Sequence, residues 1–240
     1  MTIAPERTAE AASAMAAPAE RIAVRMLWLD LTRNCQLSCT HCYNSSGPGG
    51  GHGTMTREDW VRVLDEAAEH GVEKVQLIGG EPTMHPHAVE LAERALDLGL
   101  HVEVFSNLVH IPAQWWQLFQ RDGVTVATSY YSADATQHNA VTGRSSHRLT
   151  RANIELAVRL GVTLRVGIVA IGDGQRVDEA QRELAAIGVR DVRVDRLRAF
   201  GRGARDHTPD ATELCGRCGT GRAAISPTGH VSPCVFSTWM

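Results

Sequence analysis

The chain has no run of 18 apolar residues, and this excludes a helix that spans a membrane. It has almost no lysine. Of its 24 basic residues only Lys74 is one, a compositional bias that follows no single patch of the sequence. A basic surplus is missing as well: the net charge of -3 and pI near 6.4 give no reason to expect nucleic acid or an anionic membrane as a partner. The first 24 residues lack a Leu-rich stretch and are broken by Glu6, Glu10 and Glu20, so they do not read as a signal peptide. Residues 1–24 are expected to form a mobile arm, and the expected location is the cytoplasm. Cysteine is absent from the 172 residues between Cys42 and Cys215, so all six cysteines fall into two groups of three. A secreted disulfide framework needs no such clustering; in a reducing compartment, clustered thiols point to metal. The Gly47–Gly53 run has no Lys-Ser/Thr ending and follows no strand directly, so it reads as a flexible loop rather than a phosphate cradle.

What remains is an ordinary globular composition, 43% hydrophobic over 240 residues, enough for one sizeable core. Apolar β-rich runs occur at 26–31, 74–78, 101–106, 124–129, 163–170 and 191–196. Helical patterns separate them at 56–70, 86–98, 112–121, 148–160 and 175–187. Thr56 is placed to cap the first, which sets Trp60, Leu64, Ala67 and Ala68 on one face. Strands alternating with helices predict βαβ units and a parallel sheet. Right-handed crossovers leave an open doubly wound sheet or a barrel, and six units are fewer than the eight of a closed barrel. In either case ligands belong at the C-terminal ends of the strands.

Cys35, Cys39 and Cys42 follow the first strand at that end. Three thiolates within eight residues can converge on one iron–sulfur cluster and leave one iron of a four-iron cube open. The alternative is a structural zinc site with His41 as fourth ligand, although Cys-x3-Cys-x2-Cys departs from the paired Cys-x2-4-Cys spacing. The motif, followed by Tyr43, resembles the signature of radical S-adenosylmethionine (SAM) enzymes. That resemblance implies a partial (β/α)6 barrel, a TIM-like α/β fold with a small Cys-rich C-terminal extension. It implies a [4Fe-4S] cluster on Cys35, Cys39 and Cys42 whose open iron chelates SAM. It also implies reductive cleavage of SAM to a 5′-deoxyadenosyl radical that abstracts a substrate hydrogen, with a ferredoxin- or flavodoxin-type reductant.

Further motifs carry the resemblance to about residue 204, where Gly201-Arg202-Gly203-Ala204 ends it. Gly79-Gly80-Glu81-Pro82 follows the second strand and is similar to the family's motif for the SAM amino group. The same four residues could also be a plain tight turn. Ser106-Asn107 ends the third strand where the family often has Thr-Asn-Gly, with Leu108 in place of the glycine. Ser129 ends the fourth strand, in the position of a serine that often contacts SAM. Tyr130 and Tyr131 are adjacent in a strand pattern, so at most one is expected to face the substrate.

Cys215, Cys218 and Cys234 form the second group. Cys218, Gly229 and Cys234 have a spacing similar to the opening half of a SPASM extension, which implies an auxiliary [4Fe-4S] cluster; structural zinc is the alternative. Pro227-Thr228-Gly229 predicts a hairpin turn that returns Cys234 toward Cys218. The expected organisation is a core at 25–204 and the start of a SPASM or twitch-like region at 205–240, truncated or a natural short form. The resemblance implies a peptide maturase acting on a ribosomally made precursor peptide, with a separate peptide-recognition protein. The rival readings are a dehydrogenase or cyclase of a small molecule, and a non-catalytic iron–sulfur or zinc scaffold. The Gly-Gly-Glu-Pro motif argues against the scaffold.

Overall fold

The structure, a computed structural model, describes residues 23–239, so nearly all of the expected arm at 1–24 lies outside the described residues. Six parallel strands form its centre: β1 (Met26–Asp30), β2 (Lys74–Ile78), β3 (His101–Phe105), β4 (Val124–Ser129), β5 (Leu164–Ala170) and β6 (Asp191–Arg196). They pair in chain order, each with the next. Six helices cross between them: α1 (Arg57–Glu69), α2 (Ala88–Asp97), α3 (Ala113–Phe119), α4 (Ala135–Thr142), α5 (His147–Arg159) and α6 (Val177–Ile187). Sequential pairing with helical crossovers is the partial (β/α)6 barrel that the sequence predicts.

Alternation along the strands decides which side is which. Leu27 and Leu29, Val75 and Leu77, Val102 and Val104, and Val166 and Ile168 are buried and belong to the main core with the helices. Trp60, Leu64 and Ala67 of α1 pack there too, each large side chain contributing about 1.5–3 kcal/mol by leaving water. Thr56 caps α1 as expected: it accepts from the Asp59 N–H while Asp59 accepts from Thr56 N–H. The intervening residues, including Trp28, Gln76, Glu103, Thr125, Arg165 and Arg193, line the inner face instead. The inner face therefore carries charged and polar side chains among apolar ones and encloses a cavity of about 740 Å³.

The C-terminal segment is built onto the same sheet. Its hairpin forms as predicted, with β7 (Arg222–Ile225) antiparallel to β8 (Val231–Ser232). However, β7 also pairs in parallel with β1, matching Met26 with Arg222 and Leu29 with Ile225. The sheet thus has eight strands, in the order β6-β5-β4-β3-β2-β1-β7-β8. Ala223 and Ile225 reach the same core as β1 because the hairpin continues its pleat.

Candidate functional site

The loop after β1 carries Cys35, Cys39 and Cys42 across the C-terminal ends of the strands, and all three line the cavity. Neighbours on every side fix its path. Ser38 N–H and Thr40 N–H donate to the carbonyls of Thr142 and Val141 at the end of α4, at 3.0 and 2.9 Å. Those carbonyls have no partner within the helix, so the helix end and the loop satisfy each other. The glycine-rich run, expected to be flexible, is pinned: Cys35 N–H donates to Gly47 and Arg33 N–H to Gly51, while Thr54 N–H donates to Pro227. From 160 residues further on, the Arg202 guanidinium donates to the carbonyls of Cys39 and Ser46, both at 2.7 Å. Arg202 N–H donates to the Cys42 carbonyl at 2.9 Å. Only the Gly201-Arg202-Gly203-Ala204 motif hints at this clamp in the sequence.

Cys35 and Cys39 are both raised, by burial first and then by the charges of neighbouring groups, the other thiols among them. Burial is the main cause for Cys35, pushed up to about 11, and for Cys39, pushed up to about 12. Burial, then the charge of Arg202, lowers His41 to about 4, so its imidazole is neutral. Asn107 Nδ2 lies 3.6 Å from Cys35 Sγ, and its Oδ1 accepts from Gln36 and from Val109 N–H.

Gly79 and Gly80 sit against the base of this loop. A Cβ on Gly79 would lie 2.5 Å from the Thr32 carbonyl oxygen, and one on Gly80 2.3 Å from that of Asn34. The N–H groups of Gly80 and Glu81 donate to Thr32 and Asn34. The motif is thus more than a plain turn, because it seats the cysteine loop.

The other predicted contacts divide. Gly79, Gly80, Asn107 and Ser129 line the cavity, whereas Glu81, Pro82 and Ser106 do not. Glu81 is fully buried and accepts from Thr83 N–H, Thr83 Oγ1 and, at 2.8 Å, Asn107 N–H. Burial raises its pKa and these donors lower it, with a net rise. Ser106 Oγ accepts from Leu108 N–H on the helix side. Glu81 therefore braces Asn107 from behind, and Ser106 holds the turn that follows it. Of the two tyrosines, Tyr131 lines the cavity. Tyr130 is buried, its hydroxyl donating to Glu183 and paired with His147 at 2.7 Å.

The second cysteine group gathers where the hairpin brings it. Cys218 is raised by burial and by the adjacent Cys234 and Cys215. Just beyond Cys234, Val235 and Phe236 line the cavity, and Phe236 packs on Tyr43 and Phe200. Among the described residues no three His, Cys, Asp or Glu side chains converge as one metal ion would require.

An open six-unit barrel with a thiol-bearing loop at the C-terminal ends of its strands defines a class of cofactor-dependent α/β proteins. The family model for the radical SAM superfamily matches residues 29–185, and the chain belongs to that superfamily. Membership implies a [4Fe-4S] cluster and SAM. The chain is 32% identical over 180 residues to the mycofactocin maturase MftC of Mycolicibacterium smegmatis, covering 73% of this chain and 45% of that protein. It is 31% identical over 156 residues to the PqqA peptide cyclase of Streptomyces rochei, covering 65% and 43%. It therefore spans under half the length of these curated relatives. Among solved structures, SuiB of Streptococcus suis bound to precursor peptide SuiA superposes with a TM-score of 0.74 at 15% identity, over 88% of this chain and 60% of SuiB. That likeness shows the fold.

The residues present fit the implied group. Three thiols face one cavity, and buried polar atoms around them have no partner, namely His41 Nδ1, Tyr43 Oη and Asn44 Nδ2. Such orphaned groups carry a cost that a bound polar ligand would remove. A multi-iron cluster spreads its thiolates over several metals, which suits three thiols set around one cavity.

Proposed function

We propose that this chain is the radical-generating part of an enzyme that modifies a ribosomally made precursor peptide. Cys35, Cys39 and Cys42 hold three irons of the cluster, leaving the fourth for SAM. When bound, the cluster and SAM supply one-electron cleavage of SAM and hydrogen abstraction, with the electron drawn from a ferredoxin- or flavodoxin-type donor. The chain's own residues hold and shield these groups. Gly79 and Gly80 let the backbone approach closely, and Asn107 and Ser129 offer polar contacts from the neighbouring strand ends. Glu81 and Ser106 hold Asn107 in place. Tyr131 and Val235–Phe236 narrow the cavity against water. Cys215, Cys218 and Cys234 hold an auxiliary cluster beside its mouth.

The observation that carries this reading is the convergence of the three thiols, the Gly79–Gly80 seat and Asn107 on one cavity. The peptide substrate rests on the relatives named for peptide cyclisation and maturation. Anaerobically reconstituted protein is expected to bind about four irons at the first site and, with reductant, to release 5′-deoxyadenosine from SAM. Replacing Cys35, Cys39 and Cys42 by Ala should abolish that release; wild-type rates in the triple variant would overturn the assignment.

A further inference from the structure

The molecule carries a net negative charge, yet its cavity does not. Seven cationic side chains line it against three carboxylates. The scarcity of lysine conceals this, since the arginines are scattered along the sequence and only the fold assembles them.

Most of these cations on β6 and after it are already paired. Arg193 makes a two-pronged contact with Asp191, and Arg198 reaches Asp195. Arg196 pairs with Glu213. The surplus lies on the other strands. Lys74 and Arg165 share one carboxylate, Glu103, at 3.0 and 2.9 Å. Arg222 has no acidic partner among the described residues, and its guanidinium lies 5.9 Å from the centre of the Trp28 ring. Arg222 is level with Met26 of β1, and Met26 with Lys74 of β2. Two strand spacings, about 10 Å, therefore separate the Arg222 and Lys74 backbones, and both side chains face inward.

Arg222 also borders the gap in the barrel. β8 pairs only with Ala224 and Ile225, which leaves the first half of β7 open on that side. Across the gap, β6 pairs only with β5 among the described residues. Its outer edge offers unpaired backbone groups to an extended chain, but has little to offer a small anion.

We propose that this wall of the cavity binds an acidic segment of the peptide substrate, with Arg222 and the Lys74–Arg165 pair receiving its carboxylates. The planar Arg222 fork suits a carboxylate, and its seat on Trp28 limits the freedom lost on binding. This proposal rests on the peptide-modifying reading and adds the charge of the substrate to it.

The test uses two fluorescein-labelled dodecapeptides that differ only in having Glu or Gln at four positions. Their binding to the full reconstituted chain, with saturating SAM, is followed by fluorescence anisotropy. The Glu peptide should bind at least about tenfold more tightly, and Arg222→Gln should remove about tenfold of its affinity. Raising the salt should weaken it. Arg57→Gln, on the outer helices, should leave it unchanged. Equal affinity for both peptides would overturn the proposal, as would full affinity in Arg222→Gln. A Glu-peptide preference seen only when SAM is left out would assign the charge to the SAM carboxylate and also overturn it. Displacement by inorganic phosphate as readily as by unlabelled Glu peptide would mark a small-anion site, with the same result. Release of 5′-deoxyadenosine by the wild-type chain without peptide reports the radical chemistry separately. If Arg222→Gln does not fold, the Glu and Gln peptides on the wild-type chain decide the question alone.

Discussion

A methyl group on Gly80 would strike the Asn34 carbonyl oxygen at 2.3 Å, whereas one on Gly71 would meet nothing. The two glycines answer different needs. Gly71 has φ +78, so Gly71→Ala pays only for left-handed backbone, about 1–2 kcal/mol. Gly80→Ala must push back the strand of backbone that leads into Cys35, at about 1–3 kcal/mol and with the cysteine loop displaced. Iron content after anaerobic reconstitution separates them. It should fall sharply in Gly80→Ala and stay near wild type in Gly71→Ala, although both lose thermal stability. Equal iron in the two would mean that the Gly80 seat does not govern the loop. Leu108 is the opposite case, a fully buried side chain held at φ +54 where the family often has glycine. Its burial, worth about 1.5–3 kcal/mol, offsets a strain of similar size.

At the scale of elements, β-rich runs and helical spacing made β1 to β6 and five of the helices legible, because all but β6 bury an apolar face; β6 reaches the core only through the half-buried Val192. α4 was not, since its residues from Ala135 to Thr142 show no apolar stripe; only His138 and Thr142 are buried. Its signals were the caps, Asp134 accepting from Gln137 N–H and Gly143 in the left-handed conformation. The parallel docking of β7 on β1 was equally hidden, because four residues reading Arg-Ala-Ala-Ile have no pattern that names a partner strand. Polar inward positions were legible as residues but not as a network. Burial alone would raise the Glu103 carboxyl, but the charges of Arg165 and Lys74 outweigh it and hold the pKa below its ordinary value of 4.5. The depressed folded value means that this contribution to stability is complete above the unfolded pKa and is lost as pH falls through the folded one. Chemical denaturation from pH 7 down to about 3 should show wild-type stability declining below about pH 4.5. Glu103→Gln, which leaves Lys74 and Arg165 facing each other, should cost about 1–3 kcal/mol at pH 7 and flatten that decline. An unchanged decline in Glu103→Gln would place its origin elsewhere.

The whole molecule hangs both cysteine groups from neighbouring strands. Cys35 follows β1, Cys218 precedes β7, and Cys234 follows β8. The β1–β7 ladder and the packing of Phe236 on Tyr43 and Phe200 do not depend on the thiols of the second group. Replacing Cys215, Cys218 and Cys234 by Ala should therefore leave the barrel folded and the first cluster in place. If the second group holds an iron–sulfur cluster, the iron beyond the first cluster is lost, while 5′-deoxyadenosine still forms without substrate. Modification of the substrate peptide should stop, because the second site stands at the cavity mouth through Val235 and Phe236. Elemental analysis gives the contrary outcome equal clarity. Zinc in the wild type, with iron unchanged in the variant, would make the hairpin a structural clip whose loss mainly lowers thermal stability. The spacing of Cys218, Gly229 and Cys234 is similar to that of a SPASM extension, so iron is the expected result.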